Sequence, residues 1–147
     1  MVNILSSSAV YGSTWCREAL QPFFDSTTKV LVIPFSFRDD VDTSEKLSAL
    51  YAPGCGKYYN LVVTPLSALG VKEQNVTFLD YFEKDTQKAL SAIAESDVIY
   101  FTGGLPDKMV ERIADYGIME ALSAYKGVVM GFSAGAMIQL DAYHIPV

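Results

Sequence analysis

Short aliphatic runs alternate along the chain with stretches whose apolar positions recur every three or four residues. Residues 2–5, 29–35, 75–79, 98–101 and 128–130 read as five strands. The unbroken run Val30-Leu31-Val32-Ile33 suits a strand covered on both faces, as in a parallel sheet. Helical spacing predicts helices over 14–24, 43–51, 57–69, 86–94, 106–116, 118–125 and 134–140. Pro22 and Pro65 strain two of these. Asp85 or Thr86 offers an N-cap, Pro106 suits a first helical turn, and Gly70 and Gly117 suit helix ends. Strand and helix alternate throughout, with no repeat and no linker. The pattern predicts one α/β domain over 1–147, a mainly parallel sheet with helices on both faces. In such sheets function gathers beyond the carboxyl ends of the strands.

Composition narrows the classes. A chain of 147 residues, half of them hydrophobic, can bury a core and is not a disordered segment. A net charge of −6 opposes general nucleic-acid binding, which needs a basic footprint. No apolar run approaches the roughly 20 residues of a membrane span. The N-terminus has neither the basic nor the apolar region of a signal peptide. The two cysteines, Cys16 and Cys55, stand in no metal-binding or C-x-x-C spacing. A cytoplasmic protein with reduced thiols, no metal and no cofactor is the expectation.

The candidate chemistry is concentrated at Gly131-Phe132-Ser133-Ala134-Gly135. G-x-S-x-G between a short apolar strand and a helix is the pattern of a nucleophile elbow, a tight turn that lifts a serine above the sheet end. The free N–H groups and positive end of the following helix favour negative charge nearby. An oxyanion hole needs two converging N–H donors. Ala134, after the serine, offers one, and the turn Gly103-Gly104 beyond the fourth strand offers the other.

The segments "VIYFTGGLPDKMVERI" and, about 30 residues later, "GVVMGFSAGAMIQL" resemble the peptidase E/cyanophycinase group of serine peptidases. The resemblance implies a flavodoxin-like three-layer sandwich similar to class I glutamine amidotransferases, with serine where those carry cysteine. It implies an enzyme with Ser133 as nucleophile, Ala134, Gly103 and Gly104 as the oxyanion hole, and small peptides or amides, often acidic, as substrates. Leu105 departs from the polar residue that many members carry after Gly-Gly. The family's catalytic histidine lies some tens of residues beyond the serine. This sequence runs 14 positions past Ser133 to Val147, so it is expected to lack the C-terminal part of the family domain. An uncovered sheet edge or apolar patch would then favour self-association.

His144 is the single histidine. A helix over 134–140 would place its far end roughly 10 Å from the serine, whereas a general base must reach within about 3 Å. Tyr143-His144-Ile145-Pro146 reads as extended before proline, which makes His144 a poor candidate for the base. Arg38, with Asp39 and Asp40 at a strand end, is a candidate for a substrate carboxylate. Two other functions stand beside the hydrolase. One is a catalytically silent binding or regulatory domain that keeps the elbow as scaffold. The other is flavin or phosphate binding by the hydroxyl-rich loop from Ser6 to Thr14.

Overall fold

The computed structural model describes residues 1–145. Its strands are β1 (Val2–Ser6), β2 (Val30–Ile33), β3 (Val76–Phe78), β4 (Val98–Phe101) and β5 (Val128–Phe132). They form one sheet in the order β1-β5-β4-β2-β3, and every pairing is parallel. The helices are α1 (Thr14–Leu20), α2 (Ser44–Leu50), α3 (Tyr59–Ala68), α4 (Thr86–Glu95), α5 (Pro106–Tyr116), α6 (Met119–Ala124) and α7 (Ala134–Met137).

Side-chain alternation along the strands makes the three layers. Leu31 and Ile33 of β2, with Ile99 and Phe101 of β4, pack against Ile93 of α4 and Met109 and Ile113 of α5. Val30, Val32, Val98 and Tyr100 face the other way, onto Leu20 of α1 and Val62 and Leu66 of α3. The expected α/β three-layer architecture is what the chain adopts. Among the described residues, no helix is long and apolar enough to cross a membrane.

Local chemistry explains most element ends. Pro22 tightens the end of α1 into a 3₁₀ turn, Gln21–Phe23. Thr43 caps α2 by accepting from the Lys46 N–H, and Asp85 caps α4 by accepting from the Lys88 N–H. Pro65 lies inside α3 without ending it. The helix expected over 134–140 is shorter, ending at Met137. Beyond it the Gln139 and Leu140 N–H groups turn to carbonyls three residues back, Ala136 and Met137, in place of the α ladder. The first strand reads as simply apolar, yet β1 is a sheet edge with Val2 and Leu5 exposed.

The topology also fixes where a ligand can enter. The connection after β2 leads outward to β3, and the connection after β4 leads the opposite way to β5. Neighbouring strands whose connections diverge leave a crevice above their carboxyl ends. Here that point lies between β2 and β4, beside the end of β5.

Candidate active site

A cleft of about 520 Å³ opens at this divergence. Ser36, Arg38 and Asp40 border it from the segment after β2, and Thr102, Gly103 and Gly104 from the turn after β4. Phe132 and Ser133 close it at the end of β5. Tyr51, Lys57 and Tyr58 form the wall between α2 and α3.

Ser133 sits at the corner between β5 and α7 with φ 52° and ψ −118°. A side chain in this sparsely populated region costs about 1–3 kcal/mol and persists where the surroundings over-determine it. The restraints are visible. The Ser133 N–H donates to the Ser6 carbonyl at 2.9 Å, extending the β1–β5 pairing past the strand ends. The Tyr11 hydroxyl donates to the Gly131 carbonyl. A side chain on Gly135 would run into the Phe101 carbonyl, so the elbow presses directly on β4. Ala134 is fully buried behind the serine.

The oxyanion candidates are free to act as donors. Among the described residues, the N–H groups of Gly103, Gly104 and Ala134 donate no hydrogen bond. The floor beneath the Gly-Gly turn is polar and buried: Ser36 and Thr102 are 2% and 1% exposed. Their hydroxyls lie 2.8 Å apart, and the Ser36 hydroxyl donates to the Gly103 carbonyl at 2.7 Å. The Phe132 ring packs beside Gly103 and meets Tyr100 edge-on at 6.2 Å.

Charge in the cleft opposes that of the molecule. Arg38, Lys57 and Asp40 give it a formal surplus of one positive charge, in a chain of net charge −6. Burial pushes the Tyr51 hydroxyl up to about 12, so this wall residue is neutral near pH 7. Arg112 of α5, which no sequence motif singles out, holds the loop that carries Arg38. Its guanidinium donates to the Phe35 and Phe37 carbonyls at 2.8 and 2.6 Å and stacks 3.6 Å from the Phe37 ring centre. Burial lowers its pKa, but guanidinium stays charged.

Ser133, Gly103, Gly104 and Arg38 therefore meet at one cleft. His144 does not line it; it is exposed and makes no hydrogen bond among the described residues. The chain around it does turn back: the Tyr143 hydroxyl donates to Asp107 at 2.8 Å, in the first turn of α5. Pro146, the end of the stretch read as extended, lies outside the described residues. In the loop from Ser6 to Thr14, Ser7, Ser8 and Thr14 are exposed, and Ser6 and Ser13 are half-buried. Ser6 Oγ donates to the Ser8 carbonyl at 2.6 Å, and the Cys16 thiol lies against the carbonyls of Val10, Tyr11 and Ser13. Through Ser6 and Tyr11 this loop buttresses the elbow.

The sequence profile of peptidase family S51 matches residues 2–144. Two solved structures share the fold. One is described as a peptidase E protein from Listeria monocytogenes EGD-e, with a TM-score of 0.63 and 20% identity, over 93% of this chain and 60% of that one. The other is a peptidase from an acI-B1 Actinobacterium, with a TM-score of 0.53 and 18% identity, over 92% of this chain and 55% of that one. The chain thus spans less than two thirds of the length of either. No curated protein matches the sequence significantly.

Proposed function

Because the chain belongs to peptidase family S51, we propose that it is a serine-type hydrolase of small, acidic peptides. Ser133 Oγ attacks the scissile carbonyl carbon, and the carbonyl oxygen takes the negative charge. The scissile C–N bond then breaks, the amine leaves with the proton given up by the serine hydroxyl, and water cleaves the acyl-serine ester, releasing the acid and returning a proton to Ser133 Oγ. The N–H groups of Ala134 and of the Gly103-Gly104 turn supply the donors for the developing oxyanion. Arg38 and Lys57 supply positive charge for a substrate carboxylate. The observation that carries this reading is the backbone of Ser133. Serine gains nothing from φ 52°, ψ −118° in a structural turn, whereas a nucleophile elbow requires such strain to present its hydroxyl.

A fluorophosphonate probe tests it directly. Mass spectrometry of the labelled chain should find the adduct on Ser133, and Ser133→Ala should abolish it. Label elsewhere, or none on wild type, sinks the nucleophile assignment.

One observation favours a second reading, a binding or regulatory domain built on a silent elbow. Among the described residues the cleft holds no histidine, and its one carboxylate is Asp40. Without a base, the serine hydroxyl is a weak nucleophile. Peptide binding that survives Ser133→Ala, on a wild-type chain that never acylates, distinguishes this reading from the first.

A further inference from the structure

The Gly103-Gly104 turn is gripped by one residue on both sides of Gly104. Ser36 Oγ donates to the Gly103 carbonyl at 2.7 Å, and the Ser36 carbonyl accepts from the Leu105 N–H at 2.9 Å. A carbonyl can only accept, so the Ser36 proton is committed to Gly103. The Thr102 hydroxyl must then be the donor in its 2.8 Å contact with Ser36 Oγ. Gly104 adopts φ +147°, and a side chain there would strike the Ser36 carbonyl. Ser36 is itself clamped: Arg112 binds the carbonyls of Phe35 and Phe37, one on each side of it. Arg112 belongs to α5, which begins at Pro106, next to Leu105. The restraints thus close a ring from the turn to Ser36, to Arg112, along α5 and back to the turn.

The geometry of a trans peptide gives this ring a consequence. The C=O of Gly103 and the N–H of Gly104 belong to one planar unit and point in opposite directions. Pinning the carbonyl onto Ser36 turns the Gly104 N–H away from Ser36, and that N–H has no acceptor among the described residues.

We propose that Ser36 is a positioning residue of the site: its hydroxyl locks the Gly103–Gly104 peptide so that the Gly104 N–H is presented to the oxyanion. The proposal rests on the serine hydrolase reading above and adds to it a residue that acts through the Gly103-Gly104 turn. Losing Ser36 Oγ frees the peptide to rotate and removes a preorganised donor.

The test compares Ser36→Ala with Thr102→Val in the 147-residue chain. Thr102→Val deletes the neighbouring hydroxyl yet keeps the Ser36–Gly103 bond. Ser36→Ala should slow phosphonylation of Ser133 on the order of 10- to 100-fold, since a lost oxyanion donor costs up to about 10³. Thr102→Val should slow it much less than Ser36→Ala does, because the Ser36–Gly103 bond that fixes the donor remains. In ¹⁵N-labelled protein the Gly104 amide resonance should move or broaden in Ser36→Ala and hold in Thr102→Val. Equal labelling rates in wild type and Ser36→Ala, or an unmoved Gly104 resonance, overturn the proposal. If wild type does not label at Ser133, the hydrolase reading fails by itself, and the amide resonance still decides whether Ser36 orients the turn. Should Ser36→Ala not fold, Ser36→Cys, which keeps a weak donor in similar volume, should give an intermediate rate; a wild-type rate overturns the proposal.

Discussion

The Tyr11 hydroxyl donates to the carbonyl of Gly131, the first glycine of the elbow, across 120 positions of sequence. With the 2.9 Å bond from the Ser133 N–H to Ser6, it ties the turn that carries the serine to the first strand and its loop. Tyr11→Phe keeps the ring, which is 2% exposed and edge-on to Tyr100 at 5.9 Å, and removes this bond alone. Gly131 stays paired in the sheet ladder, so losing this one hydrogen bond costs about 0.5–1.5 kcal/mol. The expected result is an unfolding free energy lower by that amount, seen as a lower urea midpoint at unchanged m-value. A variant as stable as wild type would show that the hydroxyl restrains nothing.

Tyrosine burial sets the alkaline limit of the fold. Burial pushes both the Tyr51 and Tyr125 hydroxyls up from 10.0 to about 12, and Tyr11 and Tyr100 also shift upward. Between 10 and 12 the unfolded chain has released these protons while the folded chain retains them. Stability is therefore fully present below pH 10 and falls as pH climbs through 12. Urea midpoints measured across that range should decline steadily, and Tyr51→Phe should flatten the decline. A flat profile for wild type contradicts the shifts.

Much of this was legible in the chain because it is local. Val30-Leu31-Val32-Ile33 is apolar at every position because it is covered on both faces, and the structure buries all four. The elbow could be read because strand, turn and helix adjoin in sequence. What escaped is long-range. Ser36 and Thr102 lie 66 positions apart, and each alone is an ordinary polar residue at a strand end. Arg112 looks like one exposed cation on an amphipathic helix, yet its side chain is 11% exposed and its partners, two backbone carbonyls and Asp39, lie about 75 positions away. No side-chain pattern announces a carbonyl that will need a donor. The strand order and the edge position of β1 are likewise set by pairing, which hydrophobic spacing does not encode.

The second glycine of the elbow is a packing requirement. A side chain at Gly135 would meet the backbone and Cβ of Phe101 in β4, neither of which can swing aside. Gly135→Ala must push α7 off the sheet, and overpacking of this kind costs about 1–3 kcal/mol or more. Calorimetry should show a lower melting temperature, and phosphonylation of Ser133 should slow as the corner shifts. Wild-type behaviour in both would mean that the elbow has slack the packing denies.

His144 should prove dispensable. It is exposed and outside the cleft, so His144→Ala should leave the phosphonylation rate within about 2-fold of wild type, well short of the several orders of magnitude that loss of a general base costs. A drop of that larger size would establish His144 as the base and would require the 141–145 segment to move onto Ser133.

Arg38 and Lys57 should act on binding. Both are exposed at the rim of the cleft, so water and salt screen them, and each is worth about 0.5–1 kcal/mol toward a substrate carboxylate. That range corresponds to about 2- to 5-fold in affinity. Titration calorimetry of an acidic dipeptide into Ser133→Ala should show weakening of that size on adding Arg38→Ala or Lys57→Ala. Added salt should shrink both losses. A neutral dipeptide should bind all three proteins alike. If it weakens in parallel with the acidic one, the two cations shape the loop and do not read charge.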